Sequence, residues 1–131
     1  MKENKRVFSF IKSYGSLKEV LTDHDLAALG DAYINFVYSL ALSKRIGKPS
    51  GAKVRGVALS EAVKKARLRE HLPSRMTRHL LADAAEGLIV YAWLHECITL
   101  EESVAILEEN ADLVDALTKL LTAIKKRIKF S

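Results

Sequence analysis

The sequence of 131 residues is poor in cysteine, proline and glycine. Its one cysteine, Cys97, cannot form an internal disulfide, so we expect a protein of a reducing compartment. A single cysteine is also too little for a zinc site. Only two prolines and six glycines are present, which argues against a fold of many short strands joined by tight turns. The long apolar stretches between them therefore favour helices.

The sequence also lacks the long uninterrupted apolar run of a membrane protein. A spanning helix needs about 18 to 20 apolar residues, and the best candidate, residues 26–42, contains Asp31 and Asn35. The basic residues 1–12 are not followed by the apolar segment of a secretory signal. We therefore expect a soluble, cytoplasmic protein without a membrane partner. Hydrophobic residues make up 49% of the chain, enough for one core, so a single domain over residues 1–131 is predicted.

The formal net charge of +5 is distributed in blocks along the chain. Residues 44–78 contain eleven Lys or Arg and two Glu, whereas residues 83–115 contain nine Asp or Glu and no Lys or Arg. A basic block attracts polyanions such as nucleic acids through counterion release. An ordinary solvated helix face would have the same composition, so charge alone leaves both interpretations open.

The pattern of apolar residues, caps and breakers predicts an all-α protein, built as a single compact helical bundle. Thr22 or Asp23 caps a helix that runs to Ile46 and ends at Gly47, and a loop follows over residues 48–56. The helices 22–46 and 74–95 are expected at the centre. The other predicted helices are a short one at 5–12, a basic one at about 58–71, a short one opened by the capping box Thr99–Glu102, and a last one capped by Asn110 that reaches about Ile128.

The two predicted central helices are apolar nearly all round, as buried helices are, yet each carries carboxylates in its middle. Asp31 lies in the first, and Asp83 and Glu86 lie in the second, three residues apart and so on one face. The small residues that flank all three would let the helices approach closely. Carboxylates buried at such a crossing must be paired, protonated or bound to a cation. A site made only of oxygen ligands suits Mg²⁺ or Mn²⁺.

Two histidines share helix faces with these acids. His24 precedes Asp31 by seven residues, and His79 precedes Asp83 by four. Either histidine could bind the metal ion or orient one of its ligands. A structural or surface role is the alternative, and it is the commoner one for a histidine.

The stretch Leu29–Ala32 (LGDA) resembles the core of the ribonuclease III signature helix, and residues 81–89 resemble that family's second acidic motif, A-D-x-x-E-A-L-I. The two motifs occur in the right order, about fifty residues apart, and the resemblance spans roughly residues 20–95. It implies the helical endonuclease domain of that family in a short form without a double-stranded RNA-binding domain, similar to mini-ribonuclease III. It further implies a homodimer that cleaves double-stranded RNA with Mg²⁺.

By this resemblance, Asp31, Asp83 and Glu86 correspond to three of the family's four metal-binding carboxylates, with Asp31 and Glu86 as the essential catalytic pair. The position of the fourth acid holds Ala27, as mini-ribonuclease III also lacks that acid. The next position, where many members have an aromatic side chain that inserts into the partner subunit, holds Ala28. With duplex RNA as the implied partner, the candidate RNA-binding residues are Lys44, Arg45, Lys48, Lys53, Arg55, Lys64 and Lys65.

Three functions remain open at the level of the sequence. The first is a metal-dependent endoribonuclease that acts in RNA processing, for instance on precursors of ribosomal or transfer RNA. The second is a non-catalytic RNA-binding dimer that kept the fold but lost catalysis together with the acid replaced by Ala27. The third is a structural or protein-interaction bundle whose three acids are paired with Arg or Lys inside the core.

Overall fold

The structure, a computed structural model, describes residues 8–130 of the chain. Within this part of the chain all regular structure is helical, which confirms the predicted all-α bundle. The helices are α1 (Leu17–Leu21), α2 (His24–Ile46), α3 (Gly56–Lys65), a short 3₁₀ helix (Arg69–His71), α4 (Arg78–Leu94), α5 (Leu100–Glu109) and α6 (Leu113–Arg127).

Helix α2 begins and ends where its caps predict. The Asp23 carboxylate accepts hydrogen bonds from the backbone N–H groups of Asp25 and Leu26, which would otherwise be unsatisfied in the first turn. Gly47 ends the helix in the left-handed conformation, with φ of 78°, which glycine adopts without steric cost. The loop that follows reaches Arg55, as expected. The capping box of Thr99 and Glu102 at the start of α5 is also confirmed.

The predicted basic helix at 58–71 is wrong in its second half, because α3 ends at Lys65. Arg67 adopts a left-handed conformation with φ of 62°, and the turn it makes allows Leu68 to become completely buried. The burial of one leucine side chain contributes about 2 kcal/mol, more than the cost of about 1 kcal/mol for a non-glycine residue in that conformation. The chain then continues into the 3₁₀ helix.

Two helix starts also differ from the prediction. Helix α4 is capped by Thr77 rather than Ser74, because the Arg69 guanidinium holds the carbonyls of Pro73 and Ser74 in the preceding loop, at 2.7 and 2.6 Å. Helix α6 is capped by Asp112 rather than by Asn110, whose amide nitrogen donates back to the carbonyl of Ile106 at the end of α5.

The amino-terminal part of the chain holds two further differences. The predicted helix at 5–12 lies partly outside the described residues, and the described residues 8–12 are not helical. The five-residue helix α1, capped by Ser16, was not predicted from the sequence. It is too short to show a periodic apolar pattern, and it forms because Val20 and Leu21 are buried against the rest of the core.

The core centres on α4, which packs against α2, α3, α6 and α1. Every residue from Leu81 to Ala92 is buried except Asp83, so the predicted burial of this helix is confirmed. Helix α2 packs against α4 and α5, but one of its sides faces solvent. Leu29 is 39% and Phe36 54% exposed, and the expectation that α2 is buried all round is therefore wrong.

A glycine allows α2 and α4 to come into backbone contact. A Cβ atom at Gly30 would lie 2.0 Å from the carbonyl oxygen of Glu86, far inside van der Waals contact. Gly87 has a similar role on α4, since a Cβ there would lie 3.6 Å from the backbone nitrogen of Ala27 on α2 and 3.3 Å from the carbonyl oxygen of Val20 on α1. The two acidic motifs are consequently held together at this crossing, Asp31 directly after Gly30 and Glu86 directly before Gly87.

Among the described residues, one helix, α2, is long and apolar enough to cross a membrane, judged by length and composition alone. The core helix of a soluble protein passes the same test, and 33% of the apolar window of α2 is buried inside the fold. The absence of a membrane partner stays a prediction.

Candidate active site

The helix crossing brings together two of the three predicted acids, Asp31 and Glu86. Asp31 lies on the exposed side of α2, whereas Glu86 is buried, with 8% of its surface accessible. The two carboxyl groups share a hydrogen bond, which Glu86 donates when it is protonated. The expectation of a buried charge is therefore correct for Glu86 and wrong for Asp31, because α2 turns this side to solvent.

Burial raises the pKa of Glu86 from its ordinary value of 4.5 to about 8. The hydrogen bond to Asp31 and the negative charges of Asp31 and Asp83 act in the same direction, while the ammonium group of Lys53 opposes them. A carboxyl group in this environment holds a proton at neutral pH unless another cation takes the proton's place. A metal ion bound by this carboxyl group would displace that proton.

The raised pKa predicts a pH-dependent effect of Glu86→Gln on stability in the absence of divalent metal. Below about pH 4.5 the carboxyl is protonated in both the folded and the unfolded chain, so it contributes no pH dependence. As the pH rises towards 8, the unfolded chain loses the proton and the folded chain keeps it, and wild-type stability falls. The melting temperature of Glu86→Gln should therefore increasingly exceed that of the wild type between pH 5 and pH 8.

The measurement is thermal unfolding of the wild type and of Glu86→Gln in EDTA at several pH values. A constant difference between the two melting temperatures across this range would contradict the account of Glu86. Addition of Mg²⁺ at pH 8 should raise the melting temperature of the wild type more than that of the variant.

The third acid, Asp83, lies beside both predicted histidines. Its Oδ2 atom is 3.9 Å from Nδ1 of His24 and 3.8 Å from Nε2 of His79, and the Asp83 side chain is 24% exposed. The predicted proximity of His79 to Asp83 is therefore confirmed. His24, which was predicted to share a face with Asp31, lies beside Asp83 on the other helix. Whether the histidines contact a metal ion or its ligands stays a prediction.

One residue of the site, Asn35, was not selected from the sequence. Its Nδ2 atom donates to Oδ1 of Asp31 at 3.3 Å, and its Oδ1 atom accepts from the backbone N–H of Val54 at 2.7 Å. The signal was available, because Asn35 follows Asp31 by four residues and so lies one turn along the same face. From the sequence alone, Asn35 is only a polar residue that interrupts an apolar helix. Its role depends on the loop after α2, whose Val54 it contacts.

Among the seven candidate RNA-binding residues, Lys53 is the one whose charge acts on the acidic pair, because the loop before α3 carries it close to Glu86. Arg55 is exposed two residues further on, and Lys48 lines a groove beside α2. Three of the lysines lie near surface carboxylates: Lys44 by Glu108 at 3.1 Å, Lys64 by Glu61 at 3.7 Å and Lys65 by Asp115 at 3.8 Å. Such exposed pairs are weak and can exchange for phosphate contacts.

Arg45 differs from the other six, because its guanidinium is engaged at the carboxyl end of α5. It donates to the carbonyl oxygens of Leu107 at 3.2 Å, of Glu108, and of Asn110 at 3.4 Å. These carbonyls have no partner within the helix. The predicted contact of Arg45 with RNA stays untested, and the geometry gives this residue a structural role.

We expect Arg45→Ala to lower the free energy of unfolding by about 2 kcal/mol, because hydrogen bonds to a charged group are worth about 1.5–3 kcal/mol. Lys44→Ala, which removes only an exposed ion pair, is the matched control and should cost less than about 1 kcal/mol. Urea denaturation measures both. Equal unfolding free energies for the two variants, with weaker RNA binding for Arg45→Ala alone, would instead favour the RNA contact.

The donor atoms of the acidic pair fit a magnesium ion. Among residues 8–130, no three His, Cys, Asp or Glu side chains are grouped closely enough to hold a metal ion by themselves. Mg²⁺ does not require such a group, because it is commonly bound by one or two carboxylates, several waters and the phosphates of the substrate. Asp31 and Glu86 would supply the carboxylates, and the participation of Asp83 stays a prediction.

The position of the family's fourth acid holds no polar group. Ala27 is buried at 4% exposure, and its Cα atom lies 3.8 Å from the place of a Cβ on Gly87. The neighbouring Ala28 is exposed on the free side of α2. Ala27 is thus part of the helix crossing that holds the acidic pair, whereas Ala28 lies on the solvent-facing side of α2.

The chain was compared with known proteins and with models of protein families. No curated protein matches the chain. The family model described as Ribonuclease III matches residues 24–130, from the start of α2 to the last described residue. Because this match covers far more than half of its length, the chain belongs to the ribonuclease III family.

Proposed function

We propose that this chain is an endoribonuclease that uses a divalent metal ion, Mg²⁺ or Mn²⁺, to hydrolyse phosphodiester bonds in double-stranded or structured RNA. The observation that carries the proposal is the pair of carboxyl groups of Asp31 and Glu86, which lies where α2 and α4 cross in backbone contact at Gly30. It lies within the region that matches the ribonuclease III family, whose members act on double-stranded RNA.

Asp31 and Glu86 would hold the cation, and Asp83 would help to position it or the attacking water. A divalent cation bound there supplies a water of lowered pKa and stabilises negative charge on the leaving oxygen. Glu86 is the buried member of the pair, and its backbone carbonyl lies against Gly30. Asp31 is the member that is open to a phosphate arriving from solvent.

The basic loop before α3 supports RNA as the substrate. Lys53 is exposed close to Glu86, and Arg55 is exposed two residues further along the same loop. Both would neutralise phosphates near the scissile bond. Duplex RNA is gripped mainly through its phosphates and 2′-hydroxyls. A basic strip beside an acidic metal site is therefore suited to a backbone rather than to particular bases.

We further propose that the free side of α2 pairs with a second copy of the chain. Ala28, Leu29, Ala32 and Phe36 form an exposed, mostly apolar surface beside Asp31. Four residues after Phe36 on α2, Leu40 lines a groove of about 560 Å³. A two-fold pairing through this side would set two acidic sites against the two strands of one duplex.

The alternative function is a non-catalytic RNA-binding dimer, and Ala27 is the observation that favours it. A structural bundle is less favoured, because it requires the three acids to be paired with Arg or Lys. In the described part of the chain their hydrogen bonds and ion pairs are with each other, Asn35 and the two histidines, and Lys53 acts on Glu86 only through its charge.

Incubation of a labelled RNA duplex with the wild-type chain in Mg²⁺, in Mn²⁺ and in EDTA distinguishes the two RNA functions. The proposed function predicts cutting that requires metal and prefers duplex to single-stranded RNA. Salt-sensitive binding without cutting under every condition would establish the alternative instead. Binding that does not change when Lys53, Arg55, Lys64 and Lys65 are replaced by Ala would count against both.

A further inference from the structure

Three polar side chains along α2 form hydrogen bonds with the backbone of the loop that follows this helix. The Ser43 hydroxyl accepts from the N–H of Ser50 at 2.8 Å, and the Ser39 hydroxyl accepts from the N–H of Ala52 at 2.9 Å. Asn35 accepts from the N–H of Val54 at 2.7 Å. The two serines also lie 3.1 Å from the carbonyl oxygens of the same loop residues. We call these three contacts the polar ladder.

The polar ladder is regular because two repeats coincide. Residues four apart on a helix are separated by about 6 Å along its axis, and residues two apart in an extended chain by about 6.6 Å. The steps 43, 39, 35 on α2 therefore match the steps 50, 52, 54 in the loop. The intervening loop residues, Gly51, Lys53 and Arg55, are all exposed, whereas Val54 is buried.

Asn35, the third residue of the polar ladder, differs from the two serines because it also contacts the acidic pair. Among residues 8–130, the two serines hydrogen-bond only to the loop and to their own helix. Asn35 also donates from Nδ2 to Oδ1 of Asp31 at 3.3 Å. One amide thus joins a carboxylate of the acidic pair to the backbone between Lys53 and Arg55. The charge of Lys53 in turn acts on Glu86.

We propose that Asn35 is a positioning residue that sets the carboxylate of Asp31 and the phosphate-binding side chains of Lys53 and Arg55 in register. This inference rests on the proposed function. Asn35 touches neither the RNA nor the reacting atoms. Its Nδ2 atom fixes the orientation of the Asp31 carboxylate, and its Oδ1 atom fixes the position of the basic loop along α2. A phosphate bound by the loop would then lie next to the carboxylates that would bind the metal ion.

The test compares Asn35→Ala with Ser39→Ala in steady-state cleavage of an RNA duplex at several Mg²⁺ concentrations. Loss of one hydrogen bond corresponds to about a three- to tenfold effect. Asn35→Ala should lower kcat about tenfold, raise KM, and raise the Mg²⁺ concentration needed for half-maximal rate. Ser39→Ala loosens the loop alone, so it should raise KM and leave both kcat and the Mg²⁺ requirement at wild-type values. Thr118→Ala on α6 is the remote control.

Hydrogen exchange of the Val54 amide, measured by NMR without RNA, gives a second readout that does not depend on activity. Asn35→Ala should accelerate this exchange about three- to tenfold. Asn35→Asp keeps an acceptor oxygen for that amide but loses the donor to Asp31, so it should restore slow exchange and a near-wild-type KM while kcat stays low.

A wild-type enzyme that cleaves, together with Asn35→Ala whose kcat, KM and metal requirement are unchanged, would overturn the role of Asn35 and leave the proposed function standing. Unchanged exchange at Val54 in Asn35→Ala would overturn the hydrogen-bond geometry itself. A wild-type chain that does not cleave duplex RNA in Mg²⁺ or Mn²⁺ would overturn the proposed function, and this inference with it.

Discussion

Replacement of Asp31 by asparagine should reduce RNA cleavage by about a thousandfold or more without loss of the fold. A metal ion contributes several kcal/mol of transition-state stabilisation, and about 4 kcal/mol corresponds to a thousandfold in rate. Asparagine keeps the shape of the side chain but lacks the negative charge that is proposed to bind the cation. Because Asp31 is exposed on α2, its replacement leaves the core intact.

The matched control is Glu61→Gln, which neutralises an acid on α3 whose partner is the nearby Lys64. It should cleave at the wild-type rate. Circular dichroism and thermal unfolding of both variants separate a catalytic effect from a folding effect. Full activity of Asp31→Asn would refute the assignment of this carboxylate, whereas loss of activity with loss of helicity would point to a structural role.

Gly30→Ala should prevent or severely weaken folding, and it is the largest stability effect that we predict. Its Cβ would lie 2.0 Å from the carbonyl oxygen and 2.4 Å from the carbonyl carbon of Glu86. Backbone atoms cannot rotate away as a flexible side chain can, so α2 and α4 must separate and expose core side chains. We expect a loss of more than about 4 kcal/mol, or a fall in melting temperature of about 15 °C or more.

Gly51→Ala is the control for the general effect of a glycine replacement, because a Cβ at Gly51 has no atom within 4 Å in the described structure. Its melting temperature should stay within a few degrees of the wild type. A Gly30→Ala protein that melts like Gly51→Ala would mean that the backbones of α2 and α4 do not come into contact at Gly30.

The sequence was most informative about the acidic pair. Asp31 and Glu86 could be placed together because each lies in a distinctive motif with small residues around it, and small residues on two helices indicate a close crossing. The sequence could not assign the exposed side of α2. Leu29 and Phe36 are as apolar as core residues, and a surface suited to a second copy of the chain has the same composition as a core.

The turn at Arg67 and the polar ladder were out of reach for different reasons. Arginine rarely adopts a left-handed conformation, so local preference favoured a continuous helix, and the burial of Leu68 overrode it. The polar ladder depends on a loop that folds back along α2. The residue types of Ser43, Ser39 and Asn35 do not indicate that such a loop lies beside them. Their spacing of four residues becomes meaningful only when the loop is known to run beside them.

The central claim is that the pair of Asp31 and Glu86 holds a divalent cation that cuts duplex RNA. The most direct measurement is single-turnover cleavage of a labelled duplex by the wild type and by Glu86→Gln, in Mg²⁺ and in EDTA with Mg²⁺ added back. The account predicts cutting by the wild type that EDTA stops and added Mg²⁺ restores, and no cutting by Glu86→Gln. Equal cutting by the two proteins, or cutting that persists in EDTA, would contradict it.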